Sequence, residues 1–172
     1  MERTPAPFRP TRSKGQCFLE DPHFIERIVE AIHPEPDETL LEIGPGQGQL
    51  TFPVLARGAT VVAVEADRRL AEPLQAHASD SLRVVHADAT RLDVDELIDP
   101  ARHPTLRGYG NLPYSVASPI LFRLLEFAGR FESLVLMFQR EVAARLVATP
   151  GTRDYSVLSV ITQQSAAVET LF

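Results

Sequence analysis

A short apolar run, Thr39 to Ile43, breaks directly into Gly44-Pro45-Gly46-Gln47-Gly48, and after a helical stretch reaching Arg57 a second apolar run follows, Thr60 to Val64. This reads as strand, Gly-rich turn, helix, strand, and it restricts the fold more than any other feature. The same rhythm continues along the chain. A helix is expected around Arg68 to His77, a strand at Leu82 to His86, a short helix near Val94 to Ile98 and a strand at Leu106 to Tyr109. Next come a helix from about Ser118 to Phe127, a strand at Ser133 to Phe138, a helix at Arg140 to Val147 and a Pro150-Gly151 turn. Beyond that turn, Tyr155 to Gln164 reads as helix and Ala167 to Phe172 as a final strand. Ahead of the first strand, Asp21 can cap a helix with Pro22 at its first position; Ile25, Ile28, Val29 and Ile32 then share one face, and the helix ends near His33-Pro34. Alternation on this scale predicts a doubly wound α/β fold, a parallel sheet with helices on both faces.

With 172 residues and 44% hydrophobic content, the chain fits one domain with a core between two helical layers and a sheet. Its net charge of -6 runs against binding to phosphate backbones. The exception is the start of the chain, where Arg3, Arg9, Arg12 and Lys14 face only Glu2, so residues 1–14 are expected to be a flexible basic arm and residues 15–172 the folded domain. A single cysteine, Cys17, excludes an internal disulfide, and the histidines show no zinc-site spacing, so no metal is expected. No run approaches the roughly 20 apolar residues of a membrane helix, and no signal-peptide core is present, which predicts a cytoplasmic protein without membrane partners.

Ligands of an open parallel sheet bind at the carboxyl ends of its strands, beside the point where strand order reverses. The first Gly-rich turn marks that point. Gly44 and Gly46 let the backbone turn tightly and approach a ligand, although G-x-G-x-G is a weaker pattern than the dinucleotide fingerprint. Glu65, at the end of the second strand and 21 positions after Gly44, is placed to accept from both ribose hydroxyls of an adenosine. Asp88, just past the third strand, is placed for the adenine amine. Three such positions on three successive strands suit an adenosine cofactor, of either the nicotinamide or the methyl-donor kind.

Asn111-Leu112-Pro113-Tyr114, after the fourth strand and beside the same crevice, discriminates between the two. The exocyclic amine of adenine or cytosine is a poor nucleophile because its lone pair is delocalised into the ring. The Asn111 side-chain carbonyl and the Leu112 backbone carbonyl can both accept from the amine, favouring a pyramidal nitrogen able to attack a sulfonium methyl. Pro113 holds Leu112 extended, so that carbonyl keeps its aim. Tyr114 can stack on an extruded base. A dehydrogenase has no use for this turn.

These motifs resemble the ribosomal RNA adenine dimethyltransferases that modify two adjacent adenines of small-subunit RNA. The resemblance covers about residues 12 to 172. It runs through Lys14-Gly15-Gln16-Cys17-Phe18-Leu19, Leu41-Glu42-Ile43-Gly44-Pro45-Gly46, Val64-Glu65-Ala66-Asp67, Gly110-Asn111-Leu112-Pro113-Tyr114, Gln139 to Leu146 and Pro150-Gly151. It implies a Rossmann-like domain that uses S-adenosylmethionine, with Gln16, Cys17 and Leu19 closing over the donor. Gly44, Gly46, Glu65, Ala66, Asp88 and Ala89 would bind it, and Asn111 would face both donor and target. The implied partner is small-subunit ribosomal RNA in a 30S-type pre-ribosomal particle. Cys17 stands where the family usually has Asn or His, which leaves backbone atoms to make that contact.

Family members also continue into a last antiparallel strand, a second aromatic opposite Tyr114 and a small helical RNA-binding domain, none of which has a counterpart in these residues. The expectation is therefore a fragment that binds the donor and methylates RNA weakly. Alternatives are the sister family that methylates one adenine in large-subunit RNA and confers macrolide resistance, and a non-catalytic ribosome assembly factor.

Overall fold

A computed structural model describes residues 19–172, so the basic arm expected at residues 1–14 and the candidate donor contacts Gln16 and Cys17 lie outside the described residues. Five strands, β1 (Thr39–Ile43), β2 (Thr60–Glu65), β3 (Leu82–His86), β4 (Leu106–Asn111) and β5 (Phe131–Met137), form one sheet in the order β3-β2-β1-β4-β5. Every neighbouring pair is parallel. The helices are α1 (Pro22–Ile32), α2 (Thr51–Leu55), α3 (Arg68–Gln75), α4 (Val94–Leu97), α5 (Ala117–Leu125), α6 (Arg140–Leu146) and α7 (Val157–Ser165).

Period-2 alternation along the inner strands divides the core in two. Leu40, Val61, Ala63 and Tyr109 face α1 and α2, where Ile28, Val29, Ile32, Leu50 and Val54 cover them. Leu41, Ile43, Val62 and Val64 point the other way and pack beneath α4 and α5, against Val94, Leu97, Ala117, Ile120 and Leu124. Apart from Glu42, the interior positions of β1 and β2 are thus apolar on both faces, which is why these strands read as hydrophobic runs.

The start of α1 follows its sequence signals. The Asp21 carboxylate accepts from the His23 N–H at 2.9 Å, and Pro22 occupies the first turn. The helix ends at His33 in the left-handed conformation, φ 51°. Arg107 of β4 reaches across to that end: its guanidinium donates to the carbonyls of Ile32 and His33 and to Glu38 at 3.2 Å. An arginine at the amino end of the sheet therefore satisfies carbonyls that α1 leaves unpaired.

One expected element is not formed. Residues 167–172, expected to form a final strand, carry no ladder. A strand needs a neighbour for its N–H and C=O groups, and among the described residues this segment pairs with nothing, the outer edge of β5 included. Phe172 instead lies under the Arg27 guanidinium of α1, 4.2 Å from the ring centroid. The α7 helix forms as expected and grips α6, with Ser159 Oγ donating to the Arg145 carbonyl at 2.5 Å and Gln163 Nε2 to the Leu146 and Ala148 carbonyls at 2.8 and 2.9 Å. No described helix is long and apolar enough to cross a membrane.

Candidate functional site

Strand order reverses between β1 and β4: the chain proceeds from β1 outward through β2 and β3, then returns to the other side of β1 for β4 and β5. The turns leaving β1 and β4 therefore meet. Gly44, at φ +69°, follows β1 with its N–H donated to the Val64 carbonyl at 2.9 Å. A Cβ on Gly44 would come within 3.5 Å of the Asn111 carbonyl oxygen and 3.8 Å of Pro113 Cδ. Those distances are ordinary contact, and it is the positive φ that calls for glycine at this position. Gly48 is fixed more tightly still, at φ +87° with the Phe52 ring 2.4 Å from where a Cβ would stand.

Glu65 closes the second side. The Gly46 N–H donates to its Oε2 at 3.1 Å and the Asp67 N–H to its Oε1 at 2.8 Å. These bonds tie the Gly-rich turn to the end of β2 and fix the carboxylate at the edge of the cleft. Burial raises the Glu65 pKa, and the backbone bonds from Asp67 and Gly46 pull against that rise. Leu19, Gly44, Gly46, Glu65, Asn111 and Pro113, all expected from sequence, line this one cleft, joined by Glu42, Gln49, Leu50 and Leu70.

Other expected residues sit around the cleft rather than in its wall. Leu112 is buried in the core below α5, so only its backbone is available to the site. Tyr114 is 39% exposed at the next position but one. Asp88 Oδ1 accepts from the Thr90 N–H at 2.9 Å and the Thr90 hydroxyl at 2.8 Å, capping the 3-10 turn Ala89–Arg91. Those bonds hold the Asp88 carboxyl below the usual carboxylate range. The Ala89 side chain belongs to the core, whereas Ala66 is exposed with its carbonyl 3.3 Å from His86 Nε2.

Glu42 is absent from the residues expected from sequence as site residues. It is 1% exposed in the middle of β1, between Ala63 of β2 and Tyr109 of β4 in register. The Thr51 hydroxyl donates to Glu42 Oε2 at 2.7 Å and the Tyr109 hydroxyl donates to the same oxygen at 3.1 Å. Burial pushes its pKa up to about 7, against the pull of the two hydroxyls and with a small further push from Glu65. An acid inside an otherwise apolar strand was the available signal. Among the described residues no group of three or more His, Cys, Asp or Glu could hold a metal ion.

A doubly wound parallel sheet with a Gly-rich turn after β1, an acid at the end of β2 and an Asn-Leu-Pro-Tyr turn after β4 at the switch point defines a Rossmann-like methyltransferase fold. The family model "Ribosomal RNA adenine dimethylase" matches residues 8–172, and the chain belongs to that family. It is 46% identical over 151 residues to ribosomal RNA small subunit methyltransferase A of Aeromonas hydrophila, covering 87% of this chain and 55% of that protein. The crystal structure of a dimethyladenosine transferase from Plasmodium falciparum superposes with a TM-score of 0.70 at 27% identity, over 86% of this chain and 52% of that one. The 23S rRNA methyltransferase ErmE superposes with a TM-score of 0.66 at 32% identity, over 85% of this chain and 55% of that one. The chain thus spans a little over half the length of the curated relatives it matches.

Proposed function

We propose that this chain binds S-adenosylmethionine in the cleft between β1, β2 and β4 and serves the dimethylation of adenine amines in small-subunit ribosomal RNA. The observation that carries the reading is the close approach of the two turns: a Cβ on the glycine that follows β1 would stand 3.5 Å from the carbonyl oxygen of Asn111. A cofactor cradled by the first turn is then within reach of a base held by the second. The residues present fit the donor: a positive-φ glycine leaves room for close backbone approach, and the two oxygens of Glu65 are already oriented by backbone N–H groups at the cleft edge.

In this reading Glu65 accepts from the ribose hydroxyls, and Leu19 with Gln16 and Cys17 covers the donor. Asp88 and the Ala89 backbone take the adenine, and Ala66 flanks the ribose. S-adenosylmethionine, when bound, supplies an electrophilic methyl group on a cationic sulfur. Asn111 and the Leu112 carbonyl accept from the target amine and hold its lone pair out of the ring, Pro113 keeps that carbonyl aimed, and Tyr114 stacks on the base. Residues 15–172 act as the methyltransferase unit, with residues 1–14 as a cationic arm on the phosphate backbone of a small ribosomal subunit or its precursor, in the cytoplasm.

Calorimetric titration tests the donor half: saturable binding of S-adenosylmethionine is expected, with Glu65→Ala weakening it. A folded chain that binds none overturns the reading. Methyl incorporation into undermethylated small subunits tests the rest. Asn111→Ala is expected to lower that incorporation by about 10²-fold, more than it lowers donor affinity. The ErmE superposition also favours a second reading, methylation of large-subunit RNA. Mass spectrometry of RNA from cells lacking the gene separates the two by which subunit loses methyl groups.

A further inference from the structure

Glu42 has no assigned part in holding the adenosine or facing the amine, yet it lines the same cleft. Both of its hydrogen bonds fall on Oε2, and Oε1 accepts none from the described residues. The groups that face it are the Thr51 hydroxyl from α2, the Tyr109 phenol from β4 and the Glu65 carboxylate from β2. No Lys, Arg or His among the described residues bonds to it. A buried carboxyl with no cation bonded to it among the described residues, and one oxygen without a donor from them beside a ligand cleft, has a protonation state that responds to the charge of what occupies the cleft.

Two ligands alternate there on the reading given above, on which this inference rests. They share every group except one. S-adenosylmethionine carries a sulfonium cation; the product S-adenosylhomocysteine carries a neutral thioether. We propose that Glu42 is the counter-charge by which the cleft tells the cationic donor from its spent, uncharged product: ionised, it favours the donor, and protonated, it treats the two alike. Its carboxyl titrates near neutrality, so the discrimination is open to modest changes of pH. By linkage, each pH unit by which the bound cation lowers the Glu42 pKa makes the donor tenfold tighter on the alkaline side than on the acid side. The product gains much less. Release of the product after turnover is therefore favoured wherever fresh donor is present and Glu42 is ionised.

The test is calorimetric titration of the chain with each ligand separately from pH 6 to pH 8.5, comparing native protein with Glu42→Gln. The ratio of product Kd to donor Kd is expected to rise severalfold with pH in the native chain. Glu42→Gln should flatten that rise to whatever the ligands' own amino groups contribute, which the variant measures directly. Thr51→Val removes a hydroxyl that favours the carboxylate, and should move the midpoint of the rise to higher pH. Superimposable ratio curves for native and Glu42→Gln overturn the inference while leaving the donor site standing. Failure of both ligands to bind folded native protein removes the donor site and the inference together. If Glu42→Gln does not fold, an unmoved midpoint in Thr51→Val overturns the inference by itself.

Discussion

A carboxylate at the centre of a parallel sheet is costly, and Glu42 makes the cost measurable in the ligand-free chain. Its folded-state pKa lies at about 7 against an ordinary 4.5, so both states are protonated in acid and the penalty appears only as pH rises. Between pH 4.5 and about 7 the unfolded chain gives up this proton while the folded chain retains it. Stability from this group is fully present below 4.5 and is lost progressively up to about 7, by roughly 3 kcal/mol at about 1.4 kcal/mol per pH unit. Melting curves should show Tm falling over that window in the native protein and a shallower fall in Glu42→Gln, the difference between them isolating Glu42 from Glu65. Equal slopes would mean that the buried carboxyl is ionised throughout. The acid itself stands out in the sequence among Leu40, Leu41 and Ile43. Its role does not, because its two hydroxyl partners come from 9 and 67 positions away and only the assembled sheet brings them to one oxygen.

Strands, helices and their order follow from periodicity and punctuation, since the interior positions of β1 and β2 are apolar on both faces apart from Glu42 and each strand is bounded by Gly, Pro or a capping acid. Boundaries follow less well. The strand expected to stop at Tyr109 runs on to Asn111, because Gly110 and Asn111, weak strand formers alone, pair with Leu136 and Met137 of β5. The reverse happens at residues 167–172, where apolar composition has no ladder to join. Within β4 the glycines are a packing requirement. A Cβ on Gly110 would stand 2.4 Å from the Ile43 carbonyl oxygen, a backbone atom that cannot swing away. Gly110→Ala is expected to cost about 1–3 kcal/mol in urea denaturation, whereas Gly129→Ala, with nothing within 4 Å of its Cβ, should be close to neutral. Removing the arginine that holds the end of α1 is the complementary test. Arg107 and Glu38 are only 18% and 21% exposed, so Arg107→Ala leaves a half-buried carboxylate and two carbonyls short of a donor. A loss of about 1–3 kcal/mol in the same assay is expected.

Over the whole molecule, α7 and the last residues leave a run of apolar side chains at the surface. Val157, Val160, Ile161, Leu171 and Phe172 are exposed, and β5 presents an outer edge that no described strand pairs. Exposed apolar surface and an open sheet edge each invite association. Light scattering of this chain should therefore report an apparent mass that grows with concentration; a constant monomer mass would show that the edge is protected. The opposite condition holds at the middle of the sheet. There β1 and β4 lie side by side in register from Leu40 with Arg107 to Ile43 with Gly110, with a strand on each outer flank. The turn that would cradle the donor and the turn that would hold the amine leave the same, carboxyl end of that ladder, so opening the ladder there releases both. Amides of both strands should exchange with deuterium only through the same opening. Heat would then remove the paired turns in one event, leaving no survivor that keeps the donor turn while the amine turn is gone.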